Sequence, residues 1–204
     1  NQQTDAINAQ VRRVLRPPVN RQDLPIVVAL ADLPATATGN AGGKAANLAR
    51  IARETDLLVP PGFVVTAGGH DRFLKANHLD QLVLDELAGL SPNDPQLTEV
   101  SERLVSLILG ADVPEELAEL LQTHYQAIEQ QTRSGIRLAM RSSAVREDSE
   151  ASFAGQYRSV LNVAGDGLAS AYKEVVASSF SPRAISFLLM AGIDPTETPM
   201  CVLG

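Results

Sequence analysis

Short apolar runs near both ends of the chain enclose a long helical stretch, and this order limits the fold more than any other feature. The runs at 26–30 and 63–65 have the length and aliphatic content of strands, as do the runs at 136–140 and 157–163. The intervening residues repeat apolar side chains every three or four positions, the spacing of helices. The sequence therefore predicts an α+β (mixed α/β) fold.

Proline-containing breaks and apolar spacing divide the helical part into separate helices. Two are predicted over 79–90 and 97–109. The clearest begins at Asp112, the predicted N-cap, with Pro114 in the first turn and Glu115 three residues beyond the cap. The other predicted helices open at Gly42-Gly43, run from an N-cap at Thr66 to about residue 77, and cover 169–179 and 184–190.

The composition excludes several classes of protein. The chain has 204 residues, of which 45% are hydrophobic and 20% charged, enough apolar material for a buried core. A formal net charge of −7 argues against binding to nucleic acid, and no segment has the length and apolarity of a membrane span. Cys201 is the single cysteine, which favours a reducing compartment. We therefore expect a cytoplasmic protein with no nucleic-acid or membrane partner.

The two ends of the chain differ from its centre. Residues 1–24 are polar and basic with little apolar periodicity, which predicts a linker or lead-in from an upstream domain. Residues 200–204 form a β-like run with no turn after it, whereas chain termini usually lie at the surface. We expect residues 25–204 to form one domain that continues beyond this sequence.

The glycine-rich segment 38–45 is the first with the chemistry of a phosphate site. Its glycines let the backbone approach a ligand, and the following helix directs N–H groups toward an anion. Lys44 adds a mobile positive charge. The spacing is not that of a P-loop, because Thr38 and Ala45 stand where that pattern needs glycine and a hydroxyl residue. A glycine-rich turn with a solvated lysine fits the spacing equally well.

The segment 140–157 is the second candidate. Arg141 falls where a strand is predicted to end, a usual position for ligand-binding groups, and its planar guanidinium can bind two phosphate oxygens at once. Residues 152–156 are small and polar and include a glycine, the composition of a mobile loop that folds over a bound group. A charged surface connection is the alternative, and on the residues alone it fits slightly better.

The remaining reactive side chains indicate structural roles. His124 continues the apolar face of its helix and is predicted to lie at the edge of the core. His70 and His78 have no cysteine or carboxylate at metal-ligand spacing. Glu147 and Asp148 have the chemistry to bind magnesium, but adjacent carboxylates in a polar loop are usually solvated. We therefore expect neither a catalytic residue nor a metal ligand in this chain.

Four ordered blocks resemble the ATP-binding domain of the phosphoenolpyruvate synthase and pyruvate phosphate dikinase family. The blocks are Gly-Gly-Lys-Ala-Ala-Asn-Leu-Ala at 42–49, Val-Pro-Pro-Gly-Phe-Val-Val-Thr at 59–66, Arg-Ser-Ser-Ala at 141–144 with Ser-Phe-Ala-Gly-Gln at 152–156, and Phe-Ser-Pro-Arg-Ala at 180–184. The resemblance implies the first lobe of an ATP-grasp fold, with ATP and Mg²⁺ held between two lobes.

The resemblance also implies roles for named residues. Lys44 and Arg141 are expected to contact the phosphates of ATP. The loop that contains Ser152, Gly155 and Gln156 is expected to cover those phosphates, mainly through backbone N–H groups. The acidic ligands of Mg²⁺ are expected outside this chain.

The family transfers a phosphoryl group from ATP to pyruvate through a histidine on a separate domain, and related enzymes use rifamycins or glucans as acceptors. This sequence contains neither the Thr-Ser-His type motif of the carrier histidine nor the pyruvate-binding barrel. The chain alone is therefore expected to be inactive, with the acceptor bound by other domains. The alternative is a nucleotide-sensing or interaction module that performs no transfer.

Overall fold

The computed structural model describes residues 24–145 and 155–204, which form a five-stranded sheet flanked by helices. The strand order is β1-β2-β5-β3-β4, and every neighbouring pair is antiparallel. The strands are β1 (Val27–Ala29), β2 (Phe63–Val65), β3 (Leu138–Ser142), β4 (Ser159–Val163) and β5 (Val202–Leu203). The predicted α+β class is confirmed.

The helices of the described residues agree with the predicted ones to within a few positions. They are α1 (Thr38–Glu54), α2 (Ala67–Ala76), α3 (Leu79–Leu87), α4 (Leu97–Gly110), α5 (Glu115–Gln131), α6 (Leu168–Ser178) and α7 (Pro182–Met190). Short 3-10 turns lie at Gly165–Gly167 and Pro195–Glu197. Over the ranges 24–145 and 155–204, no helix combines the length and apolarity that a membrane crossing requires.

Of the two predicted helix caps, the position of one is confirmed and the other is wrong. Thr66 is the N-cap residue of α2, and its carbonyl oxygen accepts from the N–H of His70 at 3.0 Å, but its hydroxyl donates to the carbonyl oxygen of Pro25 at 3.0 Å and makes no side-chain cap. Helix α5 begins at Glu115, and the backbone of Asp112 is instead bound by the side chain of Asn77, which donates at 2.9 Å and accepts at 3.0 Å. In both places a partner distant in sequence replaces the local side-chain cap, which capping patterns along the chain do not reveal.

The two faces of the sheet are covered very differently. On one face, Phe63, Val65 and Val202 pack into a large core with side chains from helices α2 to α6. On the other face, a smaller cluster that includes Val64 and Leu203 packs against α1. Successive residues of a strand point to opposite faces, so each strand serves both cores. We call these the large-core face and the α1 face.

Helix α1 covers only part of its face. Three of its buried alanines, Ala41, Ala45 and Ala49, belong to the cluster that includes residues of β1, β2 and β5. Over β3 and β4 the side chains of this face are exposed, among them Ala139, Arg141 and Leu161. The exposed half of the α1 face therefore begins where the start of α1 meets the end of β3.

Candidate functional site

Helix α1 consists of two helical segments that join at Gly42. This residue has φ 73° and ψ 169°, a left-handed conformation that disfavours any residue with a Cβ. A Cβ built on Gly42 would stand 1.8 Å from the carbonyl oxygen of Ser143 and 2.7 Å from its hydroxyl. Both the conformation and the close approach require glycine. The glycine loop is therefore packed directly against the end of β3.

Ser143 joins the two segments that the sequence singles out. Its hydroxyl donates to the carbonyl oxygen of Ala41 at 2.7 Å and accepts from the backbone N–H of Ala45 at 3.1 Å. Its own backbone N–H donates to the carbonyl oxygen of Cys201 at 2.9 Å, which extends the pairing of β3 with β5. Ala45 and Ser143 are 98 residues apart in sequence. The first turn after the kink is thereby fixed to the sheet.

The hydroxyl of Ser143 changes what the start of the helix can bind. A helix leaves its first N–H groups without intrahelical partners, and a side-chain oxygen or an anion can accept from them. At Ala45 the acceptor is the hydroxyl of Ser143, which acts as a cap supplied by another element. The prediction that this helix directs its N–H groups at a bound anion is therefore wrong for Ala45.

Lys44 lies in this same first turn, one residue before Ala45. Its side chain is half-buried. The hydrogen bond from Ala45 to Ser143 holds the neighbouring backbone. The structure thus anchors the backbone beside this cation.

Arg141 is the penultimate residue of β3, which confirms the prediction that it lies at the end of a strand. It is paired with Leu203 on β5 and with Ser159 on β4. Cross-strand partners share a face, and Leu203 belongs to the cluster beneath α1. The exposed guanidinium of Arg141 therefore lies on the α1 face. Lys44 and Arg141 flank the Ser143 contact on the same side of the sheet.

The predicted covering loop is described only in part, because Ser152 lies outside the described residues. Gly155 is exposed with φ 72°, and no described atom would lie within 4 Å of a Cβ there, so conformation alone favours glycine. The Oε1 atom of Gln156 is buried, and the described residues offer it no hydrogen-bond partner. Most buried polar atoms have one. The covering role of these three residues stays a prediction.

His124 lies at the edge of the large core, as predicted. Its ring centroid is 5.8 Å from that of Phe63. Burial lowers the pKa of His124 below its ordinary value, and the carboxylate of Asp32 and a backbone hydrogen bond at Val27 oppose that shift in part. A depressed pKa keeps this imidazole neutral near pH 7. Its packing favours a structural role.

The other polar candidates do not form a metal centre in the described ranges. Within residues 24–145 and 155–204, no group of three histidine, cysteine, aspartate or glutamate side chains is placed to hold a metal ion. Cys201 is fully buried, which favours a structural role. Glu147 and Asp148 lie outside the described residues.

Reasoning from the sequence missed Ser143. The contact is made entirely by small residues, namely Gly42, Ala41 and Ala45 on one side and Ser143 on the other. Small residues on both sides are the signal that two backbones approach closely. The signal was present in the glycine-rich segment and in the paired serines after Arg141, but nothing in the sequence alone joins the two.

The donors of this region suit a phosphate-bearing ligand. Arg141 carries a guanidinium on the α1 face, and Lys44 belongs to the helix that packs against this face; both types of cation bind phosphate oxygens strongly. Residues 38–203 match the family described as pyruvate phosphate dikinase, AMP/ATP-binding domain. The chain belongs to this family. The match includes the kink of α1, all of β3 and the bridge through Ser143.

Curated relatives agree with the family match. Probable phosphoenolpyruvate synthases of Methanothermobacter thermautotrophicus and Methanocaldococcus jannaschii are each 37% identical to this chain. The alignments cover 81% and 76% of the chain but 25% and 13% of the relatives. A rifampicin phosphotransferase of Bacillus subtilis is 28% identical over 87% of the chain and 20% of its own length. The chain therefore spans a quarter or less of these relatives.

Proposed function

We propose that Lys44 and Arg141 bind the phosphates of ATP in a phosphotransferase of the phosphoenolpyruvate synthase type. The observation that carries this proposal is the Ser143 contact, which brings the glycine loop and the end of β3 together on one face of the sheet. Phosphoryl transfer depends mainly on positioning and on neutralising negative charge, and two cations carried by an anchored backbone serve both needs.

The two cations have different roles in this proposal. Arg141 presents a planar fork that binds two oxygens of one phosphate group, and its strand holds the fork in place. Lys44 is a point charge on a flexible stem, suited to follow a phosphate as charge moves between groups. Ser152, Gly155 and Gln156 form the loop that covers the phosphates.

We expect Mg²⁺ to bind together with ATP. When bound, Mg²⁺ would neutralise negative charge on the phosphates. Carboxylates outside this chain supply its ligands, and residues 25–204 serve as the first lobe of a nucleotide site that a second lobe completes. A split site of this kind would give the isolated chain weak affinity for nucleotide.

The proposed acceptor is pyruvate, bound by another domain of the whole protein. The phosphoenolpyruvate synthases at 37% identity support it. A rifamycin is the second candidate, supported by rifampicin phosphotransferases of Bacillus subtilis and Bacillus cereus at 28% and 32% identity. An assay of the full natural polypeptide with ATP and each acceptor separates them. If neither acceptor leads to consumption of ATP, a module that senses nucleotide without transfer is favoured.

Calorimetric titration with magnesium and ATP tests the phosphate contacts. Lys44→Ala and Arg141→Ala should each weaken binding by about 10- to 100-fold, the loss of one charge-assisted contact. The matched controls are Lys75→Ala and Arg133→Ala, which remove exposed cations elsewhere in the chain and should leave affinity unchanged. Unaltered affinity in both site variants would contradict the proposal.

A further inference from the structure

We propose that Ser143 is a positioning residue of the nucleotide site, which fixes Lys44 relative to Arg141. This inference rests on the proposed function, because it assumes that both cations bind phosphate. It assigns to Ser143 a role that works through neighbouring backbone and involves no contact with the ligand.

The Ser143 hydroxyl has one donor hydrogen, and that hydrogen is already used within the protein. The hydroxyl donates to Ala41 and accepts from Ala45, and the residue is fully buried. The two bonds lie on opposite sides of the kink at Gly42. A hydroxyl with both partners in the backbone is not free to bind a phosphate. Its effect on a ligand must pass through the segments that it joins.

The helical segment after the kink at Gly42 needs hydrogen-bond acceptors from another element for its first N–H groups. The first N–H groups of a helix have no intrahelical acceptor, and the left-handed residue Gly42 interrupts the ladder before them. Ser143 supplies the acceptor for Ala45 and holds the carbonyl of Ala41. Removing the hydroxyl leaves two buried polar groups without this partner, so the turn that carries Lys44 is expected to shift.

Ser143 is itself held by the sheet. Its N–H donates to the carbonyl oxygen of Cys201, directly after the pairing of β3 with β5. Arg141 lies two residues before Ser143, on β3, which runs between β5 and β4. Arg141 therefore belongs to the sheet, whereas the helical turn that carries Lys44 is connected to the sheet through Ser143. A displacement of about 1 Å at a catalytic site can cost about 100-fold in rate.

The neighbouring Ser142 offers a matched control. It is also buried and also at the end of β3, but it pairs with Val202, whose side chain belongs to the large core. The substitution Ser142→Ala removes the same atom one position away, on the opposite face of the sheet. A loss that follows only from deleting a buried serine hydroxyl should be similar in the two variants.

The test is a double-mutant cycle on magnesium–ATP affinity, measured by calorimetry on the full natural polypeptide. We expect Ser143→Ala to weaken binding about 10-fold and Ser142→Ala less than about 2-fold. In a Lys44→Ala background, Ser143→Ala should add less than about 2-fold, because the group that it positions is gone. A merely structural role would lower the melting temperature equally in both backgrounds and leave no such coupling.

The outcomes separate this inference from the proposed function. An undiminished 10-fold loss in the Lys44→Ala background, or equal losses for Ser143→Ala and Ser142→Ala, would overturn the positioning role alone. Wild-type affinity in both Lys44→Ala and Arg141→Ala would overturn the proposed function and this inference with it. Should Ser143→Ala melt below the assay temperature, Ser143→Cys replaces it in the cycle. Cysteine keeps a weak donor in a slightly larger side chain, and the same coupling is expected.

Discussion

The two faces of the sheet are held together by different means. On the large-core face, bulky side chains such as Tyr172, Phe73 and Leu104 are fully buried and fill the space between helices and sheet. On the α1 face, a smaller apolar cluster is joined by a close contact between backbones, at Gly42 and Ser143, and hydrogen bonds complete that contact. Side-chain volume stabilises the first face, whereas the contact on the second face requires a residue without a Cβ at position 42. The proposed site lies on the second.

The largest expected effect comes from placing a methyl group in the backbone contact. Gly42→Ala should destabilise the protein by about 4 kcal/mol or more, because left-handed strain adds to a clash with the backbone of Ser143. Gly155→Ala carries the strain without a clash in the described structure and should cost about 1–2 kcal/mol. Denaturant unfolding measures both. Equal losses would show that the close approach contributes nothing.

The large core should lose stability through a cavity. Leu104 is fully buried in α4, and Leu104→Ala should cost about 3 kcal/mol through lost burial and the space left behind. Leu109 lies on the same helix but is 42% exposed, so Leu109→Ala should change stability by about 0.5 kcal/mol or less. Neither variant should change ATP affinity. A change of affinity in Leu104→Ala would mean that the two faces are coupled.

Two buried tyrosines of the large core differ in the hydrogen bonding of their hydroxyl groups. The hydroxyl of Tyr125 donates to the carbonyl oxygen of Ile136 at 2.8 Å, so Tyr125→Phe should cost about 1 kcal/mol. The hydroxyl of Tyr172 is buried and has no hydrogen-bond partner in the described structure, so Tyr172→Phe should be neutral or slightly stabilising. Thermal melting of the two variants compares them. A clear loss in Tyr172→Phe would reveal a partner for its hydroxyl.

The smallest expected effect is a pH dependence from His124. Burial lowers its pKa in the folded state, so the unfolded chain binds the proton first as the pH falls through its ordinary value of about 6.5. His124 therefore removes stability below that pH and none above it. The unfolding free energy of the wild type should fall more steeply than that of His124→Gln between pH 7.5 and 5.5. Parallel curves would contradict the burial of the imidazole.

The sequence predicts the large-core face better than the α1 face, for a physical reason. The spacing of Leu117, Leu120, Leu121 and Ile128 marks one side of α5. Leu120 is half-buried there and the other three are buried. Such spacing is a local property that a single helix displays by itself. The contact between Ser143 and Ala45 spans 98 residues and involves side chains too small to leave a periodic pattern. The cap predicted at Asp112 and a side-chain cap by the hydroxyl of Thr66 are absent for the same reason, since the partners of both residues are remote in sequence.

Candidate residues of the site were predicted without their arrangement. Lys44 and Arg141 were identified from residue type, predicted strand ends and resemblance, and the structure places both on the α1 face. The bridge between them was not predicted, because a serine beside an arginine has many possible uses. Packing decides among those uses, and packing is a property of the folded chain.

Hydrogen–deuterium exchange of the full natural polypeptide, with and without magnesium and ATP, tests the central claim most directly. Binding at the proposed site predicts that peptides covering 38–46 and 140–145 gain protection together, while peptides of α4 in the large core do not change. Protection elsewhere, with both of these segments unaffected, would contradict a nucleotide site built on the Ser143 contact.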